Sequence, residues 1–341
     1  MKKSEALKIL SFHWVWLWCD IYNMKGERPM QKLKWQFESS TGLGNIYTEV
    51  WIPEGKPQAV LQIAHGMAEH IGRYAHFASF LVEKNCVVVM NDHAGHGKSI
   101  HQKEHRGYFG EKDGWRNVIR DLKTLHNRVA DEFSGVPMIL LGHSMGSFLA
   151  RAYAMIYPRD YDAYIFSGTA GKNPVIGVGR LVAKFERWKN GAMKESKRLK
   201  KMSTGSYNES FKKKGVKGNW LTSVEEVVAE YEKDPFSGFA FTAEAMLDLF
   251  GVMKAVTGEQ WAKKVPEAPI YLFSGDQDPV GAKGKGVRQV ISWLEKTGHQ
   301  DVSYRLYEGG RHEMLNEVNR LEVYEDIWSF LSRINASSKA V

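Results

Sequence analysis

Gly142-His143-Ser144-Met145-Gly146 is the stretch of this chain best suited to covalent chemistry. An apolar run, Val136-Pro137-Met138-Ile139-Leu140-Leu141, precedes it and reads as a buried parallel strand. After it, Phe148 to Tyr157 is rich in helix formers and is stopped by Pro158. Strand, sharp turn and helix make this pattern a nucleophile elbow. A serine on so tight a turn sits in a strained backbone region, so Gly142 and Gly146 fill the two crowded slots. The helix N-terminus then points backbone N–H groups at an oxyanion formed beside Ser144.

A serine needs a base to take its proton and an acid to orient that base. In this architecture the chain order is Ser, then acid, then His, each after a later strand. Pro269 to Ser274 reads as one such strand, and the loop after it carries Asp276 and Asp278. Val302 to Tyr307 reads as the next, alternating apolar and polar, with Glu308-Gly309-Gly310-Arg311-His312 following. Loops at the carboxyl edge of an open sheet gather together, so Ser144, one of the two aspartates and His312 can converge. Either aspartate fits by position. Asp278 is favoured because Pro279 fixes the turn after it, while Asp276 is placed to hold the loop through Asx-type bonds.

A second oxyanion donor belongs on the loop after an earlier strand. Val60 to Ala64 is that strand, and Gly66 lets the backbone turn so that the Met67 N–H faces Ser144. The Met145 N–H is the other donor. His65 reads as a buried structural histidine.

Four blocks together resemble the monoacylglycerol lipase and lysophospholipase family of α/β hydrolases. They are His65-Gly66-Met67-Ala68-Glu69-His70, Asp92 to Ser99, Gly142 to Gly146, and Gly275-Asp276-Gln277-Asp278-Pro279 with Gly309-Gly310-Arg311-His312. The resemblance spans roughly residues 36 to 335. It implies the α/β-hydrolase fold: a mostly parallel central sheet flanked by helices, with a helical cap insertion. It also implies Ser144 as nucleophile, Asp278 as acid, His312 as base, and Met67 and Met145 as oxyanion donors. The family includes esterases and peptidases, so it does not fix a substrate.

The elements that must position these groups divide the chain into an N-terminal extension (1–32), a first core part (33–168), a cap or lid (169–266) and a second core part (267–337). At 341 residues and 43% hydrophobic, one catalytic domain with an insertion fits the length. Cys19 and Cys86 give no disulfide framework, and Cys86 opens the apolar run Cys86 to Met90 as a small buried hydrophobe. A reducing interior suits this usage, so a cytoplasmic location is expected. His93, His96, His101 and His105 lie close together, but in a glycine-rich loop that matches no metal motif, so no metal and no organic cofactor is expected.

Residues 9–19 are apolar but shorter than the roughly 20 residues a membrane span needs. Trp14, Trp16 and Trp18 suit a membrane interface. A packed N-terminal helix, or a true start at Met24 or Met30, are the other readings; a secretion signal is disfavoured because no small-residue cleavage site follows.

Between Gly168 and Pro266 the α/β pattern stops for longer than a normal crossover. From Lys172 to Lys217 there are 14 Lys plus Arg against 3 acids, a net +11 in a chain of +8. The basic character therefore belongs to the cap. No nucleic-acid motif accompanies it, so nucleic acid is not an expected partner. A solvated face is the plain reading, and an anionic lipid surface is the functional one. Phe236, Phe239, Phe241, Met246, Leu249, Phe250 and Met253 form either cap core or the wall of an acyl pocket.

The expected activity is hydrolysis of carboxylic esters of monoacylglycerol or lysophospholipid type through an acyl-enzyme. Another acyl bond (amide, thioester or aromatic ester) and a non-catalytic lipid-binding module are the alternatives. An aspartate in place of Ser144 would mark a dehalogenase or epoxide hydrolase, which disfavours both.

Overall fold

A computed structural model describes residues 17–21, 30–212 and 219–338. Nine strands form one sheet: β1 Leu17–Ile21, β2 Met30–Glu38, β3 Asn45–Ile52, β4 Ala59–Ala64, β5 Cys86–Asn91, β6 Met138–His143, β7 Ala163–Ser167, β8 Ile270–Gly275 and β9 Val302–Tyr307. Their order is β1-β2-β3-β5-β4-β6-β7-β8-β9. The first four in that order pair antiparallel, and every pairing from β5 to β9 is parallel.

Strands β4, β5, β6 and β8 are buried along their whole length. Covered on both faces, they read as continuous apolar runs rather than as alternating ones. Alternate residues still feed opposite cores. Val60, Val87 and Leu140 belong to the core on one face, and Leu61, Val88 and Leu141 to the core on the other. The first face is covered by α2 Gly114–Glu132, α3 Met145–Ile156 and α9 Lys285–Lys296, through Leu122, Leu149 and Val290. The second is covered by α1 Ala75–Glu83 and α10 Arg320–Ser338, through Phe77, Leu81 and Ile327. At the sheet edge β9 departs from the expected alternation: Ser303, Tyr304 and Arg305 are all exposed, and Arg305 pairs with Glu322 and Asp326 of α10.

The extension assigned to residues 1–32 contributes an edge strand, since Leu17–Ile21 pairs with β2. Most of the apolar run 9–19, with Trp14 and Trp16, lies outside the described residues.

Among the described residues, five α-helices lie between β7 and β8: α4 Ile176–Asn190, α5 Lys197–Thr204, α6 Glu225–Lys233, α7 Ala243–Ala255 and α8 Glu259–Ala262. They divide by packing. Helix α7 lies against α2, α3 and α4, and α8 lies against α9. The Trp261 indole N–H of α8 donates to the Arg151 carbonyl of α3 at 2.9 Å. Helix α6 has no buried residue, and α4 buries only Gly179 and Ala183.

Candidate active site

Ser144 is the residue between β6 and α3, with φ +53° and ψ −118°. A non-glycine residue is uncommon in this region, and the strain is tolerated only where the surroundings over-determine it. They do so here. A Cβ on Gly146 would lie 1.9 Å from the Ala64 carbonyl oxygen, and one on Gly142 would lie 2.2 Å from the Gly146 oxygen. Helix α3 therefore descends so close to β4 and β6 that only glycine fits at both flanks. The Ser144 N–H donates to the Ser167 carbonyl at 2.9 Å, which ties the elbow to β7.

Asp278 and His312 reach the same edge from the loops after β8 and β9. Asp278 Oδ2 lies 2.9 Å from His312 Nδ1, and both residues are buried. The carboxylate also accepts from the Ser274 hydroxyl and the Val280 N–H, each at 2.8 Å. Burial alone would push its pKa up, but His312 and these donors hold it below the ordinary carboxylate range. Burial likewise opposes the imidazolium of His312; the charges of Asp278, Glu313 and Glu69 outweigh it and raise its pKa above 6.5. Asp276 sits elsewhere. It accepts from the Gly309 N–H at 2.9 Å and bridges the two loops without touching His312.

The loop after β4 lies against the nucleophile. A Cβ on Gly66 would stand 3.3 Å from Ser144 Cβ. The Gly66 N–H donates to Glu69 at 2.5 Å, and the Ala68 N–H to His96 Nε2 at 3.2 Å. Between them, the Met67 N–H has no acceptor among the described residues. The Met145 N–H opens α3, where no carbonyl lies one turn back. Met67, Ser144, Met145 and His312 all line one cavity of about 1320 Å³.

His65 is fully buried and accepts from the His93 N–H at 3.0 Å; burial pulls its pKa down to about 3. The Asp92 to Ser99 loop is held by Asp92, which accepts from the Ile71 and Lys98 amides at 2.9 and 2.8 Å. His96 packs between Phe109 and Phe239. Cys86 lies buried in β5, and burial pushes its thiol up to about 12.

Several residues that shape the site carried no role in the sequence reading. Arg73 lies between Glu69 and Glu313, with its two terminal Nη nitrogens 2.6 Å from Glu313 and Nη1 also 3.0 Å from Glu69. This half-buried arginine and its two buried acids join the loop of Gly66 to the loop of His312. The sequence offered only the two acids, Glu69 within the first motif block and Glu313 next to the base, with nothing local to join either to Arg73. Trp220, from the segment between α5 and α6, packs on His312 with ring centroids 4.8 Å apart and the planes tilted by 36°, while its carbonyl accepts from the His312 N–H at 3.3 Å.

The aromatic stretch of the insertion divides between the cavity and the core. Phe239, Leu249, Phe250 and Met253 line the cavity, whereas Phe241 and Met246 are buried away from it. Leu199, Met202 and Phe148 complete much of the apolar wall, and Lys172, Lys197, Lys200, Lys201 and Lys285 also line the cavity. The rest of the basic run is partly outside the described residues, which omit Lys213, Lys214 and Lys217.

A family model described as serine aminopeptidase, S33, matches residues 55–319. A monoacylglycerol lipase of Mycolicibacterium smegmatis is 30% identical over 304 residues, covering 86% of this chain and 95% of that protein. Human monoglyceride lipase is 25% identical over 307 residues, covering 86% of this chain and 88% of that protein. The crystal structure of a thermostable carboxyl esterase from Bacillus coagulans superposes with a TM-score of 0.83 at 33% identity, covering 89% of this chain and 99% of that one. With an α/β-hydrolase sheet, a strained serine at its elbow and relatives of this kind along most of its length, the chain belongs to the S33 serine hydrolase family and is an ester hydrolase.

Proposed function

We propose that this enzyme hydrolyses acyl esters of monoacylglycerol or lysophospholipid type through Ser144, His312 and Asp278. The observation that carries the reading is the buried Asp278–His312 pair, 2.9 Å apart, beside a strained serine in a cavity walled by apolar side chains.

The chemistry follows from the hydrogen bond. With Asp278 on Nδ1, that nitrogen keeps its proton, so Nε2 is the atom free to take the Ser144 proton. Ser144 Oγ attacks the ester carbonyl, and the Met67 and Met145 amides stabilise the oxyanion. His312 passes its proton to the departing alcohol, and an acyl-enzyme forms. Water, deprotonated by the same imidazole, then attacks the acyl carbonyl and releases the acid. Asp278 stabilises the imidazolium in both halves without itself taking a proton. No step calls for a metal or an organic cofactor.

Phe239, Leu249, Phe250 and Met253 provide an apolar wall for an acyl chain. The family description names an aminopeptidase, which would have to bind a cationic amino terminus. Here Arg73 pairs with both Glu69 and Glu313, which leaves that trio one net negative charge, and Glu232 adds another; the five lysines that line the cavity outnumber them, so the charge favours a neutral or anionic substrate.

A panel of p-nitrophenyl esters of rising chain length, beside monoacylglycerol, lysophospholipid and an aminoacyl anilide, tests this. The expected result is kcat/KM rising from acetyl to longer acyl chains, with hydrolysis of at least one of the two lipids. Cleavage of the anilide alone would contradict it.

A further inference from the structure

Arg151 is a buried cation that the chemistry above leaves unused. It lies on α3, about two turns after Ser144, and is 1% exposed. Burial pulls its pKa down to about 9, so it is still charged at neutral pH. A charge so enclosed is ordinarily paired with an opposite one. No carboxylate among the described residues bonds to this guanidinium; its acceptors are neutral. Nη1 donates to the Thr169 hydroxyl at 3.2 Å and to the Ala170 carbonyl at 2.9 Å, and Nη2 donates to the Val256 carbonyl. The guanidinium lies over the Trp261 ring, 4.2 Å from its centroid, and the Trp261 indole N–H donates back to the Arg151 carbonyl. Nε has no acceptor among the described residues. A methionine would fill this space with no charge to desolvate, so stability alone does not account for an arginine here.

What it joins gives the reason. Thr169 and Ala170 begin the insertion, and Val256 follows the last residue of α7 near its far end. One side chain therefore ties both ends of the insertion to the helix that carries the nucleophile. The first of these segments backs the triad. Gly168 takes φ +57°, and a Cβ on it would lie 2.9 Å from His312 Cε1 and 3.0 Å from Nδ1, so the imidazole rests on this backbone. The acid loop meets the same segment. A Cβ on Gly281 would lie 3.1 Å from the Thr169 carbonyl oxygen and 3.9 Å from Asp278 Oδ2. The backbone of residues 168–170 is thus packed against both the base and the loop of its acid. Ala170 also lines the catalytic cavity. The planar guanidinium fork suits this task, because its two Nη nitrogens reach two chain segments at a fixed separation, which a single ammonium does not do.

We propose that Arg151 is a positioning residue for the base: by bonding Thr169 and Ala170 to Val256 it fixes the backbone on which the His312 ring rests, and so the line from Nε2 to the Ser144 hydroxyl. It touches neither substrate nor the reacting atoms. The proposal rests on the reading of His312 as the base and deepens it. Proton transfer from Ser144 needs Nε2 within hydrogen-bond reach, and a displacement of about 1 Å at such a contact is worth up to 10²-fold in rate. Release of residues 168–170 would let the ring tilt while Asp278 still holds Nδ1. The loss should therefore fall on kcat, with the apolar wall of the cavity and KM little changed.

The test compares variants of the full chain on a soluble p-nitrophenyl ester, each well below its own unfolding midpoint. Arg151→Met removes every donor. It should lower kcat by about 10- to 100-fold with KM within about threefold, and slow labelling of Ser144 by a fluorophosphonate by the same factor. Arg151→Lys keeps the cation without the fork; it should fall between Met and the parent, and it carries the test alone, with a loss of at least about threefold in kcat, if the Met variant does not fold. Val129→Ala opens a gap in the core of α2, away from the cavity, and controls for lost stability: its midpoint should drop while kcat stays within about twofold. His312→Ala, assayed alongside, tests the underlying reading and should abolish hydrolysis whatever the Arg151 variants do; if it does not, that reading fails and not the placement of Arg151. Three results would overturn the proposal: parental kcat in every folded Arg151 variant, a raised KM at unchanged kcat, or an equal loss of kcat in Val129→Ala at matched stability.

Discussion

At the carboxyl ends of β6, β8 and β9 the chain buries charge and satisfies it. Asp278 receives three hydrogen bonds in a fully enclosed position, and Arg73 is clamped between two buried carboxylates. Above that edge, α4 does the reverse, burying Gly179 and Ala183 while it exposes Leu181, Phe185 and Trp188. In the first region each group has one geometry, and removing a partner strands a charge or unseats a proton. In the second, side chains meet solvent, and replacing one changes what the surface touches rather than what the active site does. The difference separates residues whose partners are fixed within the fold from residues that face the surroundings.

The sharpest way to break that division is at Ser144. Ser144→Ala should lose ester hydrolysis by roughly 10⁶ in kcat while its unfolding midpoint stays close to that of the parent. Asp278→Asn should cost on the order of 10⁴ in kcat, because an amide at that position favours the wrong imidazole tautomer. Asp276→Asn should cost far less, since Asp276 holds the loop and not the base. If Asp276→Asn were the more damaging of two equally stable variants, the assignment of the acid would be wrong.

The same pair sets the pH dependence. Neutral His312 is the base, so kcat/KM should rise as pH passes upward through its pKa. Burial alone would place that pKa low; Asp278, Glu313 and Glu69 raise it above 6.5, so the rising limb should be centred above 6.5. Asp278→Asn removes a charge that favours the imidazolium. The residual activity of that variant should therefore show its midpoint shifted towards acid.

A smaller effect is expected at Arg73. Arg73→Met leaves Glu69 and Glu313 buried without their cation, and should cost about 3–5 kcal/mol of stability, read from a denaturant midpoint. The exposed pair Lys84–Glu325 is the control: Lys84→Met should change stability by about 1 kcal/mol or less. An Arg73 variant as stable as the Lys84 variant would mean that the two sides of the site are not joined as described.

The chemistry was legible in the sequence because local sterics write it there. The glycines around Ser144 are required because a Cβ at either would run into a backbone carbonyl, and the strands before Ser144 and Asp278 are buried runs that composition alone reveals. The clamp was not legible, because Arg73 and Glu313 lie 240 positions apart and no local pattern couples them. Strands β1, β2 and β3 went unread. They pair antiparallel at the edge, and in β2 Lys32, Lys34, Gln36 and Glu38 alternate with Leu33, Trp35 and Phe37, the same pattern that marked β9. In α4 the outward apolar residues are interleaved with Arg180, Lys184, Arg187 and Lys189, so the segment read as a charge run; only the helix separates the two sets onto neighbouring strips.

The central claim is that Ser144 is the nucleophile and that Asp278 and His312 activate it. Labelling with a fluorophosphonate probe, followed by peptide mapping and timed across variants, measures this directly. The account predicts a single label on Ser144, slowed by orders of magnitude in Asp278→Asn and absent in Ser144→Ala. A label on another serine that persists in Ser144→Ala, or labelling at the parent rate in Asp278→Asn, would contradict it.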